Sequence, residues 1–165
     1  MILSESESRR IIERALSFSS ADEIRVNLSG GRSGNTRFAL NSITTSGDED
    51  TLNVRVLVYF GKQHATASGT EFTDDALQKI VHTAEEAALF APEDPEYVPE
   101  LQPQVYLPIT PYFSNTAAAT PELRAKGVQS SIEPSINKDL ISAGFFSNRH
   151  GFAAVGNNHK LFGYY

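Results

Sequence analysis

Hydrophobic and polar positions alternate in two distinct rhythms along this chain, and the rhythms mark its elements. Ser4 and Glu7 stand at capping-box spacing, where hydroxyl and carboxylate each satisfy an orphan backbone N–H. Leu3, Ile11, Ile12, Ala15 and Leu16 then fall on one face, which predicts a helix ending near Phe18. Ile24, Val26 and Leu28 alternate with Arg25 and Asn27, the two-residue period of a half-buried strand. The run Gly30-Gly31-Arg32-Ser33-Gly34-Asn35 tolerates positive φ and reads as a loose hairpin turn. Thr36 to Thr44 is expected as a second strand, and Ser46 to Asp50 as the next turn. Leu52, Val54, Val56, Val58 and Phe60 alternate without a break, the clearest strand in the chain, with its valines facing the helices. A tight turn at Gly61-Lys62-Gln63 leads into a short strand from His64 to Gly69. Leu77, Ile80, Val81, Ala84, Ala87 and Ala88 recur at helical spacing, predicting a helix from about Thr73 to Phe90.

Short connections favour antiparallel neighbours, because a parallel pairing needs a long crossover. The expected class is therefore α+β: a two-layer domain of a four-stranded antiparallel meander with two helices, followed by the start of a second β-rich domain. Six of the eight prolines lie between Pro92 and Pro111, a density that neither helix nor central strand tolerates. The domain limits predicted are 1–103 for the N-terminal α+β domain, 104–120 for a proline-containing linker, and 121–165 for an incomplete central domain. Pro121 opens a third predicted helix that Pro134 should end or kink. Three short strands are expected at 140–147, 152–156 and 161–165, with turns at 148–151 and 157–160. So small a set of aromatic-rich strands is expected to need a partner surface: the first domain, another copy, or another subunit.

Charge and composition narrow the function. The 165 residues carry a net charge of −6, and the pI is near 5.2. Nucleic-acid binding draws its affinity from Lys and Arg on phosphate, so this balance argues against it. No apolar run approaches the length of a membrane span, and the N-terminus carries no signal-peptide h-region, which leads us to expect a cytoplasmic protein. Cysteine is absent, which removes disulfides, thiol catalysis and thiolate metal sites.

Several local runs, in order, resemble the TldD/PmbA family, known also by the older label of modulators of DNA gyrase. Arg37, Ala39, Asn41 and Ile43 resemble its R-x-A-x-N-x-I strand. Val54 through Ser68-Gly69-Thr70 and Phe72-Thr73-Asp74-Asp75-Ala76-Leu77 resemble its strand–Gly–strand–helix passage. Ala84-Glu85-Glu86-Ala87 and Pro92-Glu93-Asp94-Pro95 are similar to its alanine-rich helix running into proline. Ala143-Gly144-Phe145 and Gly156 through Tyr165 resemble the opening strands of its central domain. The details read closer to the PmbA-like branch.

The resemblance implies a subunit of a bacterial peptidase complex acting on unfolded or modified peptides, a homo- or hetero-oligomer with a TldD/PmbA-like subunit. It implies zinc only in the TldD-like subunit, on an H-E-x-x-x-H motif beyond this region. Here His64, His82, His150 and His159 are each followed by a residue other than glutamate, so the motif transfers to none of them. His150 and His159 are expected in turns at opposite ends of a strand, too far apart for one metal. The Gly30–Gly34 run joins two predicted strands and lacks the lysine of a phosphate loop. Asp48-Glu49-Asp50 lacks the spaced ligands of a calcium loop, and no nucleophile elbow occurs. The reading is of no catalytic, cofactor-binding or metal residue in this chain, and of no activity for the chain alone. The alternative is a stand-alone, non-enzymatic interaction module.

Overall fold

The computed structural model describes residues 2–107, 109 and 111–165. Helix α1 (Glu5–Ser17) begins at the predicted capping box, with Ser4 Oγ accepting from the Glu7 N–H and the Ser4 N–H donating to Glu7 Oε2 at 2.8 Å. The hydrogen bond from the Ser4 side chain holds the Glu7 carboxyl below its ordinary value. Its C-cap is Phe18. Then come β1 (Glu23–Ala39), β2 (Ser42–Phe60), β3 (Gln63–Gly69), α2 (Asp74–Leu89), α3 (Ser114–Ala117), α4 (Pro121–Ile136), β4 (Gly144–Asn157) and β5 (Phe162–Tyr164). The strands make one antiparallel sheet in the order β3-β2-β1-β4-β5. The α+β class and the antiparallel sheet are as expected, and the strand count and turns differ.

Gly30–Asn35 is not a turn. It lies inside β1, which runs straight through the glycines. A Cβ at Gly31 would stand 2.5 Å from the His150 carbonyl oxygen, so glycine serves close backbone approach rather than positive φ. The real turn is Leu40-Asn41, with φ of 51° and 58°, the left-handed pair that a two-residue hairpin requires. Ser46–Asp50 likewise stays within β2, where Ser46 Oγ meets Thr36 Oγ1 at 2.9 Å and Asp48 pairs with Arg124. Residues 148–151, expected as a turn, are the middle of β4, while the turn after Asn157 falls where predicted. Pro134 sits inside α4, which runs on to Ile136. Residues 144–164, read from sequence as opening a second domain, supply the fourth and fifth strands of this sheet.

The chain groups into two compact units. The first gathers Met1–Gly30, Leu52–Ile109 and Phe152–Tyr165. Its core joins Ile12 and Ala15 of α1, Leu77, Val81, Ala84 and Ala88 of α2, and Val54, Val56 and Val58 of β2, with Phe152 and Ala154 of β4. The three valines are fully buried, as their alternation predicted, and each stabilises the fold by about 1.5–3 kcal/mol. Glu85 of α2 accepts from Ser19 Oγ at 2.8 Å and from the Ser20 N–H at 2.6 Å. Burial alone would push this carboxyl up; the serine hydrogen bonds outweigh it and hold it below its ordinary value. The second unit gathers Gly31–Thr51 and Thr110–Gly151. Here α4 buries one stripe at i, i+4 and i+8: Arg124, Val128 and Ile132.

Candidate functional site

Two clusters of buried polar side chains stand out, one in each unit. In the first, Glu23 opens β1 and is 8% exposed. Its carboxylate accepts from the Tyr97 hydroxyl at 2.8 Å and from the Glu100 N–H at 3.2 and 3.3 Å. His159 Nε2, in the turn between β4 and β5, lies 3.1 Å from Glu23 Oε1, close but not aligned as a hydrogen bond. The Gln102 amide nitrogen lies 2.8 Å from His159 Nδ1, so with that nitrogen as donor the ring proton sits on Nε2, facing Glu23. Arg25 pairs with Glu100 at 3.1 Å, and the Asn157 amide donates to the Leu101 carbonyl at 2.8 Å. The hydrogen bond to the Glu23 carboxylate favours the neutral phenol, and Tyr97 is pushed up to about 12. Burial, then the Glu100 carboxylate, raises Tyr59.

Apart from His159 Nε2, the polar groups named in this cluster are engaged with neighbours, so its chemistry is that of a clasp. It ties the extended segment 97–102 to the start of β1 and to the β4–β5 turn. Past the clasp the chain presents Val105 and Leu107 to solvent, 102% and 86% exposed. No sequence rhythm marks Glu23 as a buried acceptor, because it precedes the first apolar residue of its strand.

In the second unit Arg124 is fully buried. Nη2 donates to Asp48 Oδ1 at 2.7 Å, Nη1 to Asn148 Oδ1 at 2.9 Å, and Nε reaches Thr36 Oγ1 at 3.4 Å. A Cβ at Gly34 would collide with the guanidinium, so the glycine makes its notch. This arginine was missed in the sequence because its charge hides it among Leu123, Ala125, Val128 and Ile132. Its four-residue spacing from Val128 was the available signal.

The histidines take four separate places. His64 Nδ1 lies 3.8 Å from Asp94 and His82 Nδ1 3.5 Å from Glu85. His150 is within β4 rather than a turn, its Nδ1 buried without a hydrogen-bond partner, and His159 belongs to the clasp. Among the described residues no three His, Cys, Asp or Glu side chains converge as a metal group. No described helix is long and apolar enough to cross a membrane.

Comparison with known proteins gives these features a frame. Residues 24–88 match the model of PmbA/TldA metallopeptidase domain 1. No curated protein matches the chain in sequence. The fold is that of TldE from Thermococcus kodakarensis, with a TM-score of 0.85 at 16% identity over 95% of this chain and 36% of that one. A proposed modulator of DNA gyrase from Bacteroides thetaiotaomicron also gives 0.85, at 12% identity over all of this chain and 39% of that one. A second such modulator, from Thermotoga maritima, gives 0.79 at 12% identity over 95% and 36%. This chain thus spans well under half the length of these solved structures. The domain match falls on the β1–β2–β3–α2 passage that carries the core, and this passage resembles the first domain of the PmbA/TldD family.

Proposed function

We propose that this chain is the N-terminal region of a TldD/PmbA-like subunit in a bacterial, cytoplasmic peptidase complex acting on unfolded or modified peptides. Its role is to form part of the chamber wall or to contact a partner subunit, and hydrolysis belongs elsewhere in the complex. We place it nearer the PmbA-like branch on the strength of its sequence runs. The observation that carries the contact role is the segment beyond the clasp. Glu23, Asn157 and Arg25 pin residues 97–101, and Val98, Leu101, Val105, Tyr106 and Leu107 are left exposed immediately around and after that anchor. Contiguous exposed apolar side chains mark interaction surfaces.

The likeness of residues 24–88 to the PmbA/TldA metallopeptidase domain 1 supports the peptidase setting, and the non-catalytic share is the part of the reading put to the test. Zinc hydrolysis needs three or four converging ligands and an open position. The test is metal content and turnover of the purified 165-residue protein after dialysis against a weak chelator. The expected result is less than a stoichiometric amount of zinc and no cleavage of an unfolded casein substrate. Retained equimolar zinc with casein cleavage would move catalysis into this chain.

A further inference from the structure

Strand β3 is the outer strand at one end of the sheet. Its register with β2 runs from Phe60 opposite Gln63 to Val54 opposite Gly69. Residues flanking a two-residue hairpin turn exchange both backbone bonds, and bonding alternates from there along the ladder. Gln63, Ala65, Ala67 and Gly69 therefore bond inward, while His64, Thr66 and Ser68 turn their N–H and C=O groups away from β2. The start of this edge is taken: Gln63 bridges Glu93, and the Asp94 N–H donates to the Lys62 carbonyl at 3.0 Å. Among the described residues no strand lies beside Thr66 and Ser68.

Helix α2 overhangs this open stretch. A groove of about 280 Å³ lies between the end of β3 and the helix, lined among others by Ala67, Gly69, Ala76, Lys79, Ile80 and Thr83. A Cβ on Gly69 would stand 2.6 Å from Ile80 Cδ1, so the glycine lets Ile80 lie against the strand backbone. Ala76 and Ile80, which line the groove, are only half-buried. Neighbouring strands lie about 4.8 Å apart, so the groove is where the inward side chains of a next strand would go. The edge also lacks the usual guards: His64 to Gly69 contains no lysine and no proline.

We propose that the edge of β3 accepts an extended polypeptide segment as a sixth strand, paired to Thr66 and Ser68, with an apolar side chain set beneath α2. Alternating backbone donors and acceptors at strand spacing are matched by another polypeptide backbone, which selects a peptide as the occupant. The groove's Ala67, Gly69, Ala76 and Ile80 suit a side chain of valine or leucine size, and Lys79 and Thr83 form a polar rim. This inference needs only the edge and the groove, and stands or falls apart from the peptidase-complex reading.

The probe is a capped eight-residue peptide of alternating valine and threonine with terminal lysines, added to the 165-residue protein while amide exchange is followed residue by residue. Thr66 and Ser68 amides should exchange roughly tenfold more slowly at saturation, with the inward-bonded Ala67 amide changed least. Thr66→Pro removes an outward N–H that the β2 ladder does not use, so it should abolish the effect. Unchanged protection of the Val56 and Val58 amides in that variant shows that it folds, and Thr66→Lys, which keeps the N–H but guards the edge, should weaken binding. No slowing at Thr66 and Ser68 with millimolar peptide would overturn the proposal, as would equal binding by a folded Thr66→Pro variant. Protection that arises without peptide and grows with protein concentration would assign the edge to a second copy of this chain instead.

Discussion

Val56→Asp is expected to abolish the native fold of the first unit. Val56 is fully buried in β2, within the cluster formed by α1, α2 and the sheet. An aspartate there loses the valine's burial and places a carboxylate among apolar side chains with no partner. The two effects together cost about 4 kcal/mol or more, a large part of the roughly 5–15 kcal/mol that holds a domain folded. Arg55→Asp, one residue away on an exposed position, should change stability by no more than about 0.5 kcal/mol. Urea unfolding followed by circular dichroism checks both. A Val56→Asp midpoint near that of the unsubstituted protein would mean that the core has been wrongly placed.

The second large effect is expected at Arg124. Arg124→Ala removes the donor to Asp48 Oδ1 and Asn148 Oδ1, leaving Asp48 its 3.7 Å pairing with Arg32, and opens a cavity beside Gly34, at a cost of about 2–4 kcal/mol. Arg124→Lys should recover less than half of that, because one ammonium cannot serve three acceptors in the guanidinium's fixed fork. Added salt should change the wild-type result little, since the guanidinium is fully buried even though Asp48 is partly exposed. By contrast, the Arg9–Glu5 pair on α1 is exposed on both sides, and Glu5→Gln, which leaves Arg9 over the Phe162 ring, should cost almost nothing. Amide exchange at Val128, the next residue of the buried stripe of α4, reads the loss where it arises. Native-like protection there in Arg124→Ala would show that α4 is held by its apolar contacts alone.

Elements whose pattern is local were legible in the sequence. The Ser4–Glu7 box, the stop at Phe18, the Leu52–Phe60 alternation and the Thr73-capped second helix all depend on neighbours within a turn or a strand. What was misread depends on partners far along the chain. Gly31 looks like a turn residue until the β4 backbone is placed beside it. Ser46–Asp50 looks like a loop until Thr36 and Arg124 are there to pair with its side chains. The hairpin at Leu40-Asn41 carries no glycine, and leucine disfavours the left-handed conformation it adopts, so local chemistry pointed elsewhere. The clasp was invisible for the same reason: Glu23, Tyr97 and His159 meet only after β1 and the β4–β5 turn have come together.

The contact role is tested most directly by recovering the tagged full-length gene product from its own cells and weighing the intact assembly by native mass spectrometry. Amide exchange of residues 98–107 is then compared in the assembly and in the isolated 165-residue chain. The account predicts an assembly with a second TldD/PmbA-family subunit, at least one member carrying H-E-x-x-x-H, and slower exchange at Leu101, Val105 and Leu107 within it. A product that remains a lone monomer, with exchange at those residues unchanged from the isolated chain, would contradict it.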